Sequence, residues 1–213
     1  ILLPFSRDIF TLVSEPLREV LPGNAMIATA VASPLLTPFK LTFFAALFLV
    51  MPVVLFQVWN FIAPGLYKNE KRFAIPLLAT SIVLFYLGIA FAYFVVFPLI
   101  FGFFTSIAPE GVEVQTDITQ FLDFITTIVF AFGIAFEVPV ATVLIVWAGL
   151  TNIEKLAKAR PYVFLMAFIA GMFLTPPDVI SQSLLAVPVY LLYELGIIMS
   201  KVFVSKKSES DSS

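Results

Sequence analysis

The chain has 213 residues, 61% of them hydrophobic and only 12% charged, with a mean hydropathy of +1.05. Soluble domains carry about 45–50% apolar and about 25% charged residues, so a water-soluble fold is excluded and the chain reads as an all-α, polytopic membrane protein whose solvent is lipid. With no Cys and no His, disulfides, metal and cofactor sites built on those ligands, Cys nucleophiles and imidazole acid–base chemistry are excluded together.

In chain order, Ile1-Leu2-Leu3-Pro4-Phe5 reads as the end of an earlier helix, which would give the parent six spans; a cleaved leader is the competing explanation. Residues 6–40 read as an external cap, with turns at Glu15-Pro16-Leu17 and Leu21-Pro22-Gly23-Asn24 around a short amphipathic helix. Five apolar segments follow, at 41–62, 73–97, 121–149, 162–174 and 184–203. At about 1.5 Å per residue the first three cross a hydrocarbon core of about 30 Å. The fourth falls short at about 20 Å and the fifth is marginal, so both are expected to thin the bilayer locally. The Ser/Lys/Glu tail from 205 to 213 reads as disordered. The whole is expected to be a single membrane domain.

The total charge of −2 is less informative than its distribution. Lys68, Lys71 and Arg72, then Lys155, Lys158 and Arg160, then Lys201, Lys206 and Lys207 place nine of the twelve basic residues on one side. The other side holds Arg7, Arg18 and Lys40 among many carboxylates. The positive-inside rule therefore puts loops 63–72 and 150–161 and the C-terminus in the cytoplasm. Trp59 and Trp147 are expected at the interface on that side.

Four acidic positions stand out. Glu137 lies near the middle of the third span, where an unpaired carboxylate is costly. Gly133 and Ala141, one turn before and after it, are small enough to admit another helix, and Pro139 frees the carbonyl of Ala135. A structural hydrogen bond within the bundle would also account for Glu137. Glu194, in Tyr190-Leu191-Leu192-Tyr193-Glu194, has structural pairing or a role near the cytoplasmic interface open to it. Glu70, in Tyr67-Lys68-Asn69-Glu70-Lys71-Arg72, is either a solvated loop charge or an acceptor for a guanidinium. In Thr175-Pro176-Pro177-Asp178, Asp178 is suited to capping the following helix.

The stretch Phe56-Gln57-Val58-Trp59-Asn60-Phe61-Ile62-Ala63-Pro64-Gly65-Leu66-Tyr67-Lys68-Asn69-Glu70-Lys71-Arg72 resembles the first cytoplasmic loop of the TatC family. The segments Ala92-Tyr93-Phe94-Val95-Val96-Phe97-Pro98, Phe132–Val140 and Thr175–Gln182 resemble further family segments, and Met26-Ile27-Ala28-Thr29 resembles proteobacterial members. The likeness runs in order from about Ser14 to Val204. It implies a concave, glove-like bundle in the bacterial inner membrane that recognises twin-arginine signal peptides of folded cargo. It further implies partnership with TatB and TatA, proton-motive-force-driven export, self-association and contact with lipid, but not with nucleic acid. By motif match Glu70 is the signal-peptide-binding glutamate, with Phe61 and Tyr67 as an apolar lip beside it. Glu137, with Pro139, is the intramembrane group for partner recruitment, Asp178 the aspartate between the last two helices, and Pro52 and Phe61 are sensitive positions. The family also carries a second Glu in an N-terminal tail that this sequence does not contain.

A secondary transporter is the rival reading, since Glu137 beside Pro139 is the kind of group that lines a midplane site. An intramembrane enzyme lacks its parts: there is no Gly-x-Ser-x-Gly elbow and no membrane pair of Asp residues.

Overall fold

The structure, a computed structural model, describes residues 3–6, 8–11, 13, 27–29, 31–62, 71–107, 117–175 and 179–210. Among them the fold is helical: α1 Ser33–Ile62, α2 Lys71–Phe91, a π-helical turn Ala92–Val96, α3 Phe97–Ile107, α4 Ile118–Ala135, α5 Val138–Trp147, α6 Ile153–Leu174 and α7 Val179–Ser210. Among the described residues, five stretches are long and apolar enough to cross a membrane: Ser33–Asn60, Ile75–Phe104, Ile118–Trp147, Ile153–Leu174 and Val179–Val202. Their outward residues are large and apolar, with Phe43, Leu49, Val83, Phe94 and Phe173 all exposed. Lipid tails solvate such a surface where water would not.

The prolines set the joints. Pro98 has no N–H to donate and crowds the carbonyl four residues back. The chain relieves this with the wider turn at 92–96, in which the Phe97 N–H reaches the Ala92 carbonyl. The second span therefore continues past Phe97, where the sequence had suggested its end. Pro139 acts likewise on the Ala135 carbonyl. Here α4 stops at Ala135, residues 136–137 turn, and α5 starts with Pro139 in its first turn. After α5 the chain reverses through Gly149 at φ 72°. The Leu150 N–H bonds the Ile145 carbonyl at 3.1 Å and the Gly149 N–H bonds Val146 at 3.0 Å, a Schellman closure that needs the left-handed glycine. Asn152 then caps α6 by accepting the Lys155 N–H at 2.8 Å.

That cap corrects the expected fourth span. Residues 153–161, assigned to a loop for their charges, are helical, and α6 has 22 residues, or about 33 Å. Length alone no longer argues for a thinned bilayer there. The last helix likewise runs to Ser210, so the first residues of the expected disordered tail are helical.

The chain forms two compact units, Ile1–Pro52 with Ile89–Ala131, and Val53–Gly88 with Phe132–Ser213. In the first, Phe101 packs on Phe97, Phe121 and Phe124 with ring centroids 5.6–6.1 Å apart. In the second, Trp59 joins Leu77, Val140 and Val143, with Met199 and Leu144 against them. Trp59 is only 5% exposed, which places it in the core and not at the interface expected from its position in the sequence. A further core of Leu156, Tyr193 and Ile197 lies between α6 and α7.

Candidate functional site

Glu137 stands at the joint between α4 and α5. Its N–H bonds the Ile134 carbonyl at 3.0 Å and its carbonyl receives the Ala141 N–H at 2.8 Å, so its backbone is satisfied on both sides of the break. Its side chain accepts a hydrogen bond at Oε2 from the Ser81 hydroxyl on α2. The other oxygen, Oε1, is buried and has no hydrogen-bond partner. An unsatisfied buried oxygen is costly, so a carboxyl in this place accepts a donor from a further group or holds a proton.

The helix that comes close to Glu137 belongs to this chain. A Cβ at Gly133 would lie 2.6 Å from the Phe85 ring, and one at Gly88 would lie 2.5 Å from the Phe132 carbonyl oxygen. Both glycines let α2 approach near enough to deliver Ser81. Ala141, expected to share a stripe with Gly133, is exposed whereas Gly133 is buried. The break at 136–137 shifts the helical phase, so the three residues do not line one continuous face. Pro139 is buried in the same unit.

Glu194 is held by Arg160. The Arg160 Nη2 donates to Glu194 Oε2 at 2.8 Å, Nε lies 2.6 Å from Oε1, and the Tyr190 hydroxyl donates to Oε1 at 3.0 Å. One turn away, the Tyr193 hydroxyl donates to the Leu156 carbonyl at 2.8 Å. These bonds tie α6 to α7, and they neutralise an arginine that sits inside a candidate span. Arg160 escaped the sequence reading because it was assigned to a loop.

A third polar group, also missed, occupies the first unit. Asp117 caps α4 by accepting the Thr119 and Gln120 N–H groups at 2.8 and 3.1 Å. Its other oxygen accepts the Thr29 hydroxyl at 2.7 Å and the Thr29 N–H at 3.0 Å. The Thr29 hydroxyl, then the backbone donors of Thr29, Gln120 and Thr119, hold this carboxyl well below the usual carboxylate range against the opposing effect of burial. The Ile118 N–H bonds the Ile27 carbonyl at 2.9 Å, and Lys40 pairs with Asp123. The signal available in the sequence was the Met26–Thr29 segment, but nothing there named its partner 88 residues away.

Glu70, Tyr67 and Asp178 lie outside the described residues, as does the side chain of Phe61, whose backbone belongs to the last turn of α1. Pro52 is a half-buried residue inside α1.

Residues 1–188 match the family model described as "TatC: Sec-independent protein translocase protein (TatC)". A protein of Azotobacter chroococcum mcd 1 named Sec-independent protein translocase protein TatC is 63% identical over 194 residues, covering 91% of this chain and 76% of its own length. The protein of the same name from Escherichia coli (strain K12) is 58% identical over 203 residues, covering 95% and 79%. A solved structure titled Crystal Structure of Twin Arginine Translocase Receptor- TatC superposes with a TM-score of 0.85 at 36% identity, covering 95% of this chain and 89% of that one.

Proposed function

This chain belongs to the TatC family of Sec-independent protein translocase proteins, and we propose that it is the subunit that recognises the twin-arginine signal peptides of folded cargo. It is a multi-pass membrane component of the twin-arginine translocase. The observation that carries the finer reading is the extent of the match. It covers residues 1–188, and so takes in Glu70, Glu137 and Asp178 together.

In this reading Glu70 accepts a peptide guanidinium, with Phe61 and Tyr67 forming an apolar lip for the peptide's hydrophobic stretch. A charge-assisted bidentate contact of this kind is worth roughly 1.5–3 kcal/mol, or about 10- to 150-fold in affinity. Glu137, beside Pro139, is the intramembrane group through which partner helices are recruited, TatB and TatA being the partners. Asp178 and Pro52 are further sensitive positions, and the chain self-associates. The protein acts by binding and not by catalysis, in the bacterial inner membrane, with its C-terminus in the cytoplasm and the proton-motive force driving export. The transporter alternative finds no support, since the relatives and the solved structure are named as translocase components.

Complementation tests the proposal. In a bacterium deleted for its own family member, the complete protein restores export of a folded twin-arginine cargo, does not export the twin-lysine version, and loses activity on Glu70→Gln. Equal export of both cargoes would refute it.

A further inference from the structure

Lys40 and Asp123, in the first unit, take no part in the peptide contacts proposed above. Lys40 on α1 donates to Asp123 Oδ1 on α4, and the two side chains are 47% and 49% exposed. Their surroundings form a lipid-facing wall, since Leu36, Phe39 and Phe43 beside Lys40 are exposed too. We propose that this pair is the headgroup site of a bound phospholipid whose headgroup ends in a primary amine, of the phosphatidylethanolamine type. Lys40 receives its phosphate and Asp123 its ammonium. The inference goes beyond the receptor reading and needs only a chain that spans the membrane.

The depth of the pair fits a headgroup. The span Ser33–Asn60 has 28 residues and Ile118–Trp147 has 30, about 42 and 45 Å of helix against a hydrocarbon core of about 30 Å. With each span centred on that core, Lys40 and Asp123 fall within about one turn of its edge, and the lysine stem can carry its charge outward to the phosphates. The bonding capacity fits as well. Lysine has three N–H donors, of which Asp123 takes one, and among the described residues no donor reaches Asp123 Oδ2. Open capacity on a charged pair is costly beside apolar side chains and acyl chains. A headgroup carrying phosphate and ammonium completes both members at once and adds no net charge. A primary ammonium donates N–H bonds to the carboxylate, whereas the quaternary ammonium of phosphatidylcholine has none to give and phosphatidylglycerol brings no cation. Phe43, Leu47 and Val50 continue inward along α1, exposed or half-buried, so an acyl chain has an apolar wall to lie on.

The alternative role is a static tie between α1 and α4. Native mass spectrometry of the complete protein separates the two roles. The protein is released from nanodiscs holding equal parts of phosphatidylethanolamine, phosphatidylcholine and phosphatidylglycerol, and the retained lipids are counted. Wild type should retain phosphatidylethanolamine over phosphatidylcholine by about two- to fivefold, the range an exposed ion pair supports. Asp123→Asn should abolish that preference and raise retention of phosphatidylglycerol, because Lys40 is left as an unpaired cation. Lys40→Gln should lower retention of phosphatidylethanolamine and phosphatidylcholine alike, because both offer the phosphate. Equal retention of these two lipids by wild type overturns the inference. So does a preference that survives both substitutions, since the selective site then lies elsewhere. Variants that lose thermal stability equally in each lipid, with retention unchanged, assign the pair to the helix contact alone. Should a single variant fail to insert, the double variant Lys40→Gln with Asp123→Asn leaves no unpaired charge and can keep a hydrogen bond between the helices. It should lose the preference, and retaining it would also overturn the inference.

Discussion

Ser81 and Glu137 show how a carboxyl is kept inside a membrane helix: one oxygen is satisfied by a hydroxyl from the neighbouring helix, and the other is buried without a hydrogen-bond partner. Glu137→Gln keeps an acceptor for Ser81 and can still pair with a further group, so export should stay near wild type. Glu137→Leu removes both oxygens and should weaken partner recruitment, measured by co-purification of the partner subunits. If Gln proves as damaging as Leu, charge or protonation is required and hydrogen bonding is not enough. Asp117 supports a pH prediction. Its folded pKa lies below the unfolded value of about 4. The stability it contributes is therefore fully present above about pH 4 and is lost as the pH falls toward the folded value. Thermal unfolding of the wild type should worsen across that acidic range, whereas Asp117→Asn should start lower at neutral pH and show a shallower dependence. Parallel profiles would show that the Thr29 contacts do not hold the carboxylate.

At the scale of elements, helix contact is set by small residues. A Cβ on Gly196 would lie 2.0 Å from Thr142 Oγ1 and 3.0 Å from Pro139 Cα, so α7 lies almost against the backbone of α5. Gly196→Ala should destabilise by about 1–3 kcal/mol, measured as a loss of thermal stability in detergent. Adding Thr142→Ala should recover part of this, because the oxygen goes but Pro139 remains. Gly88→Ala should be worse than the double variant, since it meets a backbone carbonyl that cannot rotate away. The sequence announced these helices through their apolar runs, and it marked the break at Glu137 through Pro139. It did not show that charged residues 153–161 are helical. The signals there were Asn152, a capping residue, and Gly149, a helix terminator, and the charge pattern outweighed both. Glu194 was legible as a carboxylate within the last span and Arg160 as a cation, but their pairing needed the register between α6 and α7, which no local pattern specifies. Trp59 was misplaced for a similar reason. Proximity to a span end suggests an interface anchor, while packing on Leu77 and Val143 depends on tertiary contacts.

For the whole molecule, orientation follows from the basic residues, nine of which fall on one side in the sequence reading. Since the chain has no Cys, single Cys substitutions can report sidedness without background. Cys at position 69 should label from the cytoplasmic face, and Cys at position 28 from the opposite face; labelling of both from one face would invalidate the orientation. The central claim is that this membrane protein distinguishes arginine from lysine through a carboxylate. Three cations near Glu70, namely Lys68, Lys71 and Arg72, oppose any incoming basic peptide, so only a directed contact can win. The most direct measurement is the affinity of a twin-arginine and a twin-lysine peptide for wild type and Glu70→Gln in the complete protein, at two salt concentrations. The account predicts that the substitution costs twin-arginine binding about 10- to 150-fold, that the loss survives higher salt, and that twin-lysine binding hardly changes. Equal weakening of both peptides, fading as salt rises, would show that Glu70 is only part of a diffuse surface field and would contradict the account.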